Sequence, residues 1–380
     1  MGKKKQDANL ANGSFLDEES VRQTLQYLAT GLVEWEKLSS LERSQVPKAL
    51  RIGMSRMHAI SILQKEQLSP KDLWEFFRWC EKPIKSWKPA AGMSDIPDEA
   101  TLIDDGLVSD FARDWALSGK NPIAQVQEQL LKEVKEFCTP DKEEAYRSFR
   151  NLIITKPVVR TTELDDHIDT PELIKLSKFF KNERTYKPLT KLAEYDEYHL
   201  CPRCKYFQRL RDDGVYSCRN AFCQRLQAGS NPNRFKALNP IPRVKASEWL
   251  AVDYGVYLYG TLPGIWEVKL AEELEGLGAK VTMWPNVDWY DLLVELPKGV
   301  KWAIDVKDWS YLTPQRLEDV RSQPEATQTL VVFPDERDDY LRIPIIRNQK
   351  QYSPKALRGL QLKLISEVVK AAKKEIQQNA

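Results

Sequence analysis

A chain of 380 residues is too long for one compact core and predicts two or three domains. Lys and Arg outnumber Asp and Glu by only 57 to 55, so a global basic field is excluded and any affinity for nucleic acid must come from local patches. No apolar run approaches the ~18 residues that cross a bilayer, and the basic start Met1-Gly2-Lys3-Lys4-Lys5 leads into polar residues, which points to a cytoplasmic protein with no membrane segment.

Residues 1–14 read as a disordered basic terminus, and residues 15–185 as an α-helical domain. Val21, Leu25, Leu28, Leu32 and Trp35 make one apolar stripe at helical spacing; Leu50, Met54, Met57 and Ile60 make another; Leu73, Phe76, Phe77 and Cys80 make a third. From Asn121 the pattern Ile123, Val126, Leu130, Val134 and Phe137 continues for about four turns. Six cap-Pro pairs predict helix starts, because Pro at the first helical position gives up no needed hydrogen bond: Ser69-Pro70, Asn121-Pro122, Thr139-Pro140, Thr170-Pro171, Thr313-Pro314 and Ser353-Pro354. Lys82 to Pro97, with three prolines and a glycine, reads as a loop or linker. His58 and His167 stand alone, and no polar cluster converges in this region. Its natural role is docking to protein partners, apart from any active site.

Residues 186–245 form a second module. Cys201, Cys204, Cys218 and Cys223 are spaced C-x2-C-x13-C-x4-C. A C-x2-C turn aims two thiolates at one metal, and a second pair completes the tetrahedral shell of a structural Zn²⁺. The second pair is widely spaced, so His199 is an alternative ligand. Arg203, Lys205, Arg209, Arg211 and Arg219, interleaved with Tyr206, Phe207 and Tyr216, could grip phosphates and stack on bases. A staple between two domains is the blander use of the same residues. With Cys80 and Cys138 isolated in helix-like contexts, the six cysteines suit a reducing compartment.

Residues 246–350 hold the most informative stretch. Gly264 to Gly278 reads as a helix with Gly278 at its C-cap, and Glu267 falls on the apolar stripe with Leu270 and Leu274, where a carboxylate needs a partner. A strand at Lys280 to Trp284 follows. Tyr290 to Leu296 and Lys301 to Lys307, joined by Pro297-Lys298-Gly299, read as a β-hairpin. Alternation places Asp305 and Lys307 on one face, with Trp302, Ile304 and Val306 on the other. Asp291 opens the neighbouring strand, so two carboxylates and an ammonium can meet. A helix from Thr313-Pro314 and a strand at Thr329 to Phe333 complete the order. Residues 351–380 read as a packing helix with Leu357, Leu360, Leu364 and Val368 on one side.

The acid-x-Lys tripeptide occurs also at Glu133-Val134-Lys135 and Glu267-Val268-Lys269, but both lie in helical patterns. Only Asp305-Val306-Lys307 ends a strand with a second acid on its hairpin partner. Here the sequence resembles the PD-(D/E)xK nucleases, the restriction-endonuclease-like superfamily. The resemblance implies an αβββαβ core, a Mg²⁺- or Mn²⁺-dependent endonuclease activity and a nucleic-acid substrate, DNA in preference to RNA. Asp291 and Asp305 are then the metal ligands, Lys307 the residue beside the attacking water, and Glu267 the supporting acid from the preceding helix. The family prefers Pro-Asp at the first acid; Asp291 follows Tyr290, which leaves Asp288 as a competing candidate. A helical region, a four-cysteine ribbon and this core in one chain are similar to the nuclease component of bacterial PIWI-RE defence islands. The alternative is a non-catalytic nucleic-acid-binding adaptor built on the same fold.

Overall fold

The computed structural model describes residues 18–36, 38, 45–64, 70, 72–93, 96, 100–104, 107–116, 122–192, 196–210, 216–218, 220, 223, 243–308, 317, 320, 322–335 and 359–378. The expected disordered terminus and most of the helix expected from Thr313 lie outside them. The chain divides into two compact units, Met1–Gln125 and Val126–Ala380.

The first unit is helical, as its stripes predict. Helices α1 (Glu18–Glu36), α2 (Lys48–Leu63), α3 (Leu73–Cys80) and α4 (Asp110–Ala116) bury Leu25, Leu28, Leu32, Leu50, Met57, Ile60, Phe76 and Cys80. A two-stranded pair, β1 (Ile103–Asp104) and β2 (Leu107–Val108), precedes α4. The described residues of Lys82–Pro97, 82–93 and 96, form a packed loop in place of a free linker. Ile84, Trp87, Ala90 and Met93 are buried in and around two short 3₁₀ turns, with Trp87 stacked on Trp79 at 3.7 Å between centroids. Pro83 and Pro89 shape these turns instead of freeing the chain.

Helix α5 (Pro122–Cys138) runs across the boundary into the second unit, where α6 (Glu143–Thr155) follows. Of the six cap-Pro pairs, Pro122 does begin a helix, whereas Thr139-Pro140 lies in the turn between α5 and α6, and α3 starts at Leu73 with Asp72 as the cap, accepting from the Glu75 amide at 2.8 Å. Pro171 precedes only a short 3₁₀ turn, Leu173–Leu176, and the last two pairs lie outside the described residues. After Pro70 and Pro140 an amphipathic helix does follow, but it begins three residues later, at Leu73 and Glu143. Strands β3 (Val158–Arg160), β4 (Tyr186–Pro188) and β9 (Trp249–Val252) form a small antiparallel sheet with β9 central.

The cysteine module lies between β4 and β9. Strand β5 (Glu197–His199) pairs with β8 (Arg243–Lys245), and β6 (Arg209–Leu210) with β7 (Tyr216–Ser217). The Cys201 to Cys204 turn closes through the Lys205 amide donating to the Cys201 carbonyl at 2.8 Å, with Lys205 at φ +55°. All four cysteine sulfurs are buried and lie within 4.8 Å of one another. Tyr257 Oη donates to Cys204 Sγ at 3.1 Å and the Asn220 amide to Cys218 Sγ at 3.4 Å. Burial would push the Cys223 thiol up, yet hydrogen bonds within the cluster and the Arg203 guanidinium hold it well below the usual thiol range. A buried tetrad of sulfurs this close together is compatible with a structural zinc. His199 is not part of the tetrad; its ring lies against Tyr216 at 4.2 Å. The ribbon's Tyr206 and Phe207 are core residues, Tyr206 stacking on Tyr257 at 4.0 Å, and so present no face to a base.

Beyond β9 a π turn at Tyr257–Thr261 runs into α7 (Leu262–Gly276). This helix ends where Gly278, at φ +92°, donates to the Glu275 carbonyl while Ala279 reaches back to Leu274. Five strands follow in the order β10 (Lys280–Met283), β11 (Leu292–Glu295), β12 (Lys301–Val306), β13 (Gln328–Phe333) and β14 (Gln361–Leu364). The first three are antiparallel, and β12, β13 and β14 run parallel. Trp302, Ile304 and Val306 turn to one face with Leu292 and Val294, packing on Trp266, Leu270 and Leu274 of α7 and on α8 (Ile365–Gln377). The opposite face buries Val331, Phe333 and Leu362 with Leu317 and Val320. The mixed sheet with helices is consistent with a restriction-endonuclease core.

The C-terminal stripe departs from expectation: residues 361–364 are a strand, and the helix starts at Ile365. Leu360, Leu362 and Leu364 also fit an alternating period, and a buried parallel neighbour decides between the two.

Helices α6 and α7 approach closely. A Cβ at Gly264 would stand 2.1 Å from Ile154 Cδ1, and one at Gly260 2.7 Å from Ile153 Cδ1. Gly264→Val should therefore wedge the helices apart and destabilise this unit by ~1–3 kcal/mol, the usual cost of overpacking, read as a lower thermal midpoint. For the cysteines, elemental analysis should find one zinc per chain. Cys204→Ser should lose it and expose Tyr206 and Tyr257 to solvent before α7 unfolds; a zinc-free native protein would remove the assignment.

Candidate nuclease site

At the ends of β11 and β12 the acids come together. Asp305 and Lys307 lie on the face of β12 opposite Ile304 and Val306, and Lys307 Nζ donates to Asp305 Oδ1 at 2.8 Å. The Lys307 amide bonds the Val332 carbonyl of β13, so the parallel strand fixes the backbone that carries the ammonium. Asp291, one residue before β11, is 8% exposed and accepts from the Val306 amide at 2.6 Å. Its carboxylate is thereby tied to the residue between Asp305 and Lys307.

Glu267 reaches the same cluster from α7. It is 3% exposed, and Trp284 Nε1 donates to its Oε2 at 2.5 Å. The stripe reading is thus matched by burial, and the partner that a buried carboxylate needs is an arginine from elsewhere. Arg150 Nη2 donates to both Glu267 oxygens, at 3.3 Å and 3.0 Å, while Nη1 donates to the Gly260 carbonyl at 3.1 Å. Arg150 lies on α6, within the stretch that the stripes assigned to a module apart from the acids. Nothing in its local sequence announces the role.

Asp288, the competing first acid, belongs to the cluster too. It accepts from Tyr146 Oη at 2.6 Å and stands 3.9 Å from Arg150 Nε. It closes a left-handed turn in which Trp284, Asn286, Val287 and Asp288 all have positive φ, an arrangement costly for a β-branched residue such as Val287. Side chains of α5 and α6 hold that turn. Lys135 Nζ donates to the Asp288 carbonyl at 2.6 Å, Arg147 Nε to the Met283 carbonyl at 2.9 Å, and Glu143 accepts from the Asn286 amide at 2.7 Å. Lys135 and Lys269, from the two helical acid-x-Lys tripeptides, take other roles: Lys135 in this clamp, and Lys269 over the Trp266 ring.

The electrostatics follow from this crowding. Burial pushes the Asp291 carboxyl well above the ordinary range, and Glu267, Asp305 and Asp288 push the same way against Lys307. Glu267 is also raised, by burial first, although Arg150 opposes it. Burial alone would lower Lys307, but Asp305 and Asp291 more than offset it and hold the ammonium charged. Carboxylates that penalise one another's charge are a donor set that a divalent cation would relieve, although among the described residues the cysteine tetrad is the only group of three or more candidate ligands close enough to share one ion.

The basic residues of the cysteine module are placed differently from one another. Arg203 turns inward, its Nη1 donating to Cys223 Sγ at 3.2 Å, its Nη2 lying 3.8 Å from Asp308 and its guanidinium over the Trp266 ring at 5.0 Å. With its side chain 10% exposed it is a cross-brace between the cysteines and the end of β12, and it presents no phosphate-gripping surface. Lys205 is exposed; the Arg209 side chain, Arg211 and Arg219 lie outside the described residues. No helix among the described residues is long and apolar enough to cross a membrane.

Comparison with known proteins places the two ends of the chain. Residues 264–380 match the family model described as "REase associating with pPIWI_RE", and residues 24–160 match "pPIWI_RE three-gene island domain Y". No curated protein matches the chain. The first match contains Glu267, Asp291, Asp305 and Lys307, and the second contains Arg150. The chain joins a pPIWI_RE island domain Y to a restriction-endonuclease domain of the kind that associates with pPIWI_RE, and so carries the nuclease-like domain of such a defence island.

Proposed function

We propose that the protein is a divalent-metal-dependent endonuclease acting on nucleic acid, DNA in preference to RNA, in the defence system its domains denote. The observation that carries this reading is the meeting of Asp291, Asp305 and Lys307 where β11 begins and β12 ends, with Glu267 behind them. Asp291 and Asp305 would hold Mg²⁺ or Mn²⁺. When bound, the ion supplies a lowered pKa for a water and stabilises charge on the scissile phosphate. Lys307, kept protonated by its acidic neighbours, orients the attacking water and faces the phosphate as a fixed positive charge. Glu267 supports the acids from behind, held by Arg150 and Trp284. The free cysteines fit the cytoplasm, and docking to protein partners is assigned to the helical unit.

A binding adaptor on the same fold is the competing reading, favoured by the internal pairing of Lys307 with Asp305. Kinetics separate the two. Purified protein should cut at least one member of a panel of DNA and RNA substrates with Mg²⁺ or Mn²⁺ and none with EDTA. Asp291→Ala and Asp305→Ala should lose both metal binding and cleavage. Lys307→Ala should keep the metal and lose ~10²–10⁴-fold in turnover, the range for one positioned acid-base group. Lys301→Ala, at the far end of β12, should cut like the parent. Cleavage by Asp305→Ala at the parental rate would leave the adaptor.

A further inference from the structure

One stripe of α6 faces the acids. Glu143, Tyr146, Arg147 and Arg150 recur at helical spacing, and each bonds to the Met283–Asp288 turn or to Glu267. Arg150 goes deepest: its side chain is 6% exposed, its guanidinium stands 5.4 Å over the Trp284 ring, and its Nε is buried without a hydrogen bond. A helix needing only a packing contact would not bury a guanidinium among acids, because desolvating that charge is costly unless it is used.

We propose that Arg150 is a positioning residue of the nuclease, and that the site is composite: α6, outside the nuclease-family match, completes it. This rests on the nuclease reading above. The fork of the guanidinium does what an ammonium cannot. One nitrogen holds Glu267, a second is anchored on the Gly260 carbonyl, and the third faces Asp288, so Glu267 and Asp288 keep fixed places around Asp291. The close approach at Gly260 and Gly264 sets the reach of the arginine. A nuclease domain cut at residue 264 would lack this group.

The test uses the full chain with Arg150→Met, Arg150→Lys and Arg150→Ala, and Lys156→Met as a control at the exposed end of α6. Cleavage and Mn²⁺ affinity by calorimetry are both read, beside the thermal midpoint and zinc content. Arg150→Met should lose ~10²-fold in kcat, as a displacement of about 1 Å can cost, with KM for nucleic acid held and Mn²⁺ bound more weakly. Arg150→Lys keeps the charge without the fork; it should fold where Arg150→Met does not and should still lose activity. Methylguanidinium should restore part of the cleavage of Arg150→Ala, which lost packing alone would not permit. Parental cleavage and Mn²⁺ affinity in folded Arg150→Lys and Arg150→Met would overturn the proposal and leave the nuclease reading intact. Weakened Mn²⁺ binding in these variants of a protein that cuts no substrate would uphold the positioning role and sink the nuclease reading. Absence of Mn²⁺ binding in a parent that does not cut would end both.

Discussion

The buried pair of Arg150 and Glu267 is the constraint on which the second unit depends. Removing one member of such a pair costs about 3–5 kcal/mol, because the other is left charged in a medium that cannot solvate it. Two apolar residues of equal volume would often be at least as stable. The pair is therefore better explained by what it holds than by what it contributes to stability. It fixes Glu267 against Trp284, fixes the start of the left-handed turn, and through Asp288 limits where Asp291 can lie.

The same logic links the cysteine module to the sheet. Arg203 sits between Cys201 and Cys204 in sequence, and its guanidinium spans from Cys223 to Asp308, the residue after Lys307. Tyr257, which donates to Cys204, leads into the π turn before α7. The tetrad is thus tied to both elements that carry site residues, the helix of Glu267 and the strand of Asp305. A metal staple is well suited to that task, since its bond lengths leave little freedom to the attached backbone.

Local pattern made the nuclease core legible. The hairpin follows from two short apolar runs around Pro297-Lys298-Gly299, and Lys298 and Gly299 do adopt positive φ there. Glu267 was readable because an acid on an apolar stripe demands a partner. Its partner was not, since Arg150 lies 117 residues away on a helix whose pattern is amphipathic like its neighbours. Periodicity reports which face is buried and says nothing of what it meets. The same limit explains Arg203, Tyr206 and Phe207: basic and aromatic residues in a short ribbon look like a nucleic-acid grip until the cysteines draw them inward. At Leu360 to Leu364 the apolar spacing fits both helix and strand, and pairing with β13, a non-local event, selects the strand.

The central claim is that α6, α7 and the hairpin together build one divalent-cation site. Crystals of the full chain soaked in Mn²⁺ and measured at the manganese and zinc absorption edges would test it most directly. The account predicts a zinc peak within the four cysteines and a separate manganese peak bonded to Asp291 and Asp305, with Arg150 still paired to Glu267. A zinc peak accompanied by no manganese at Asp291 and Asp305 in fully soaked crystals would contradict it.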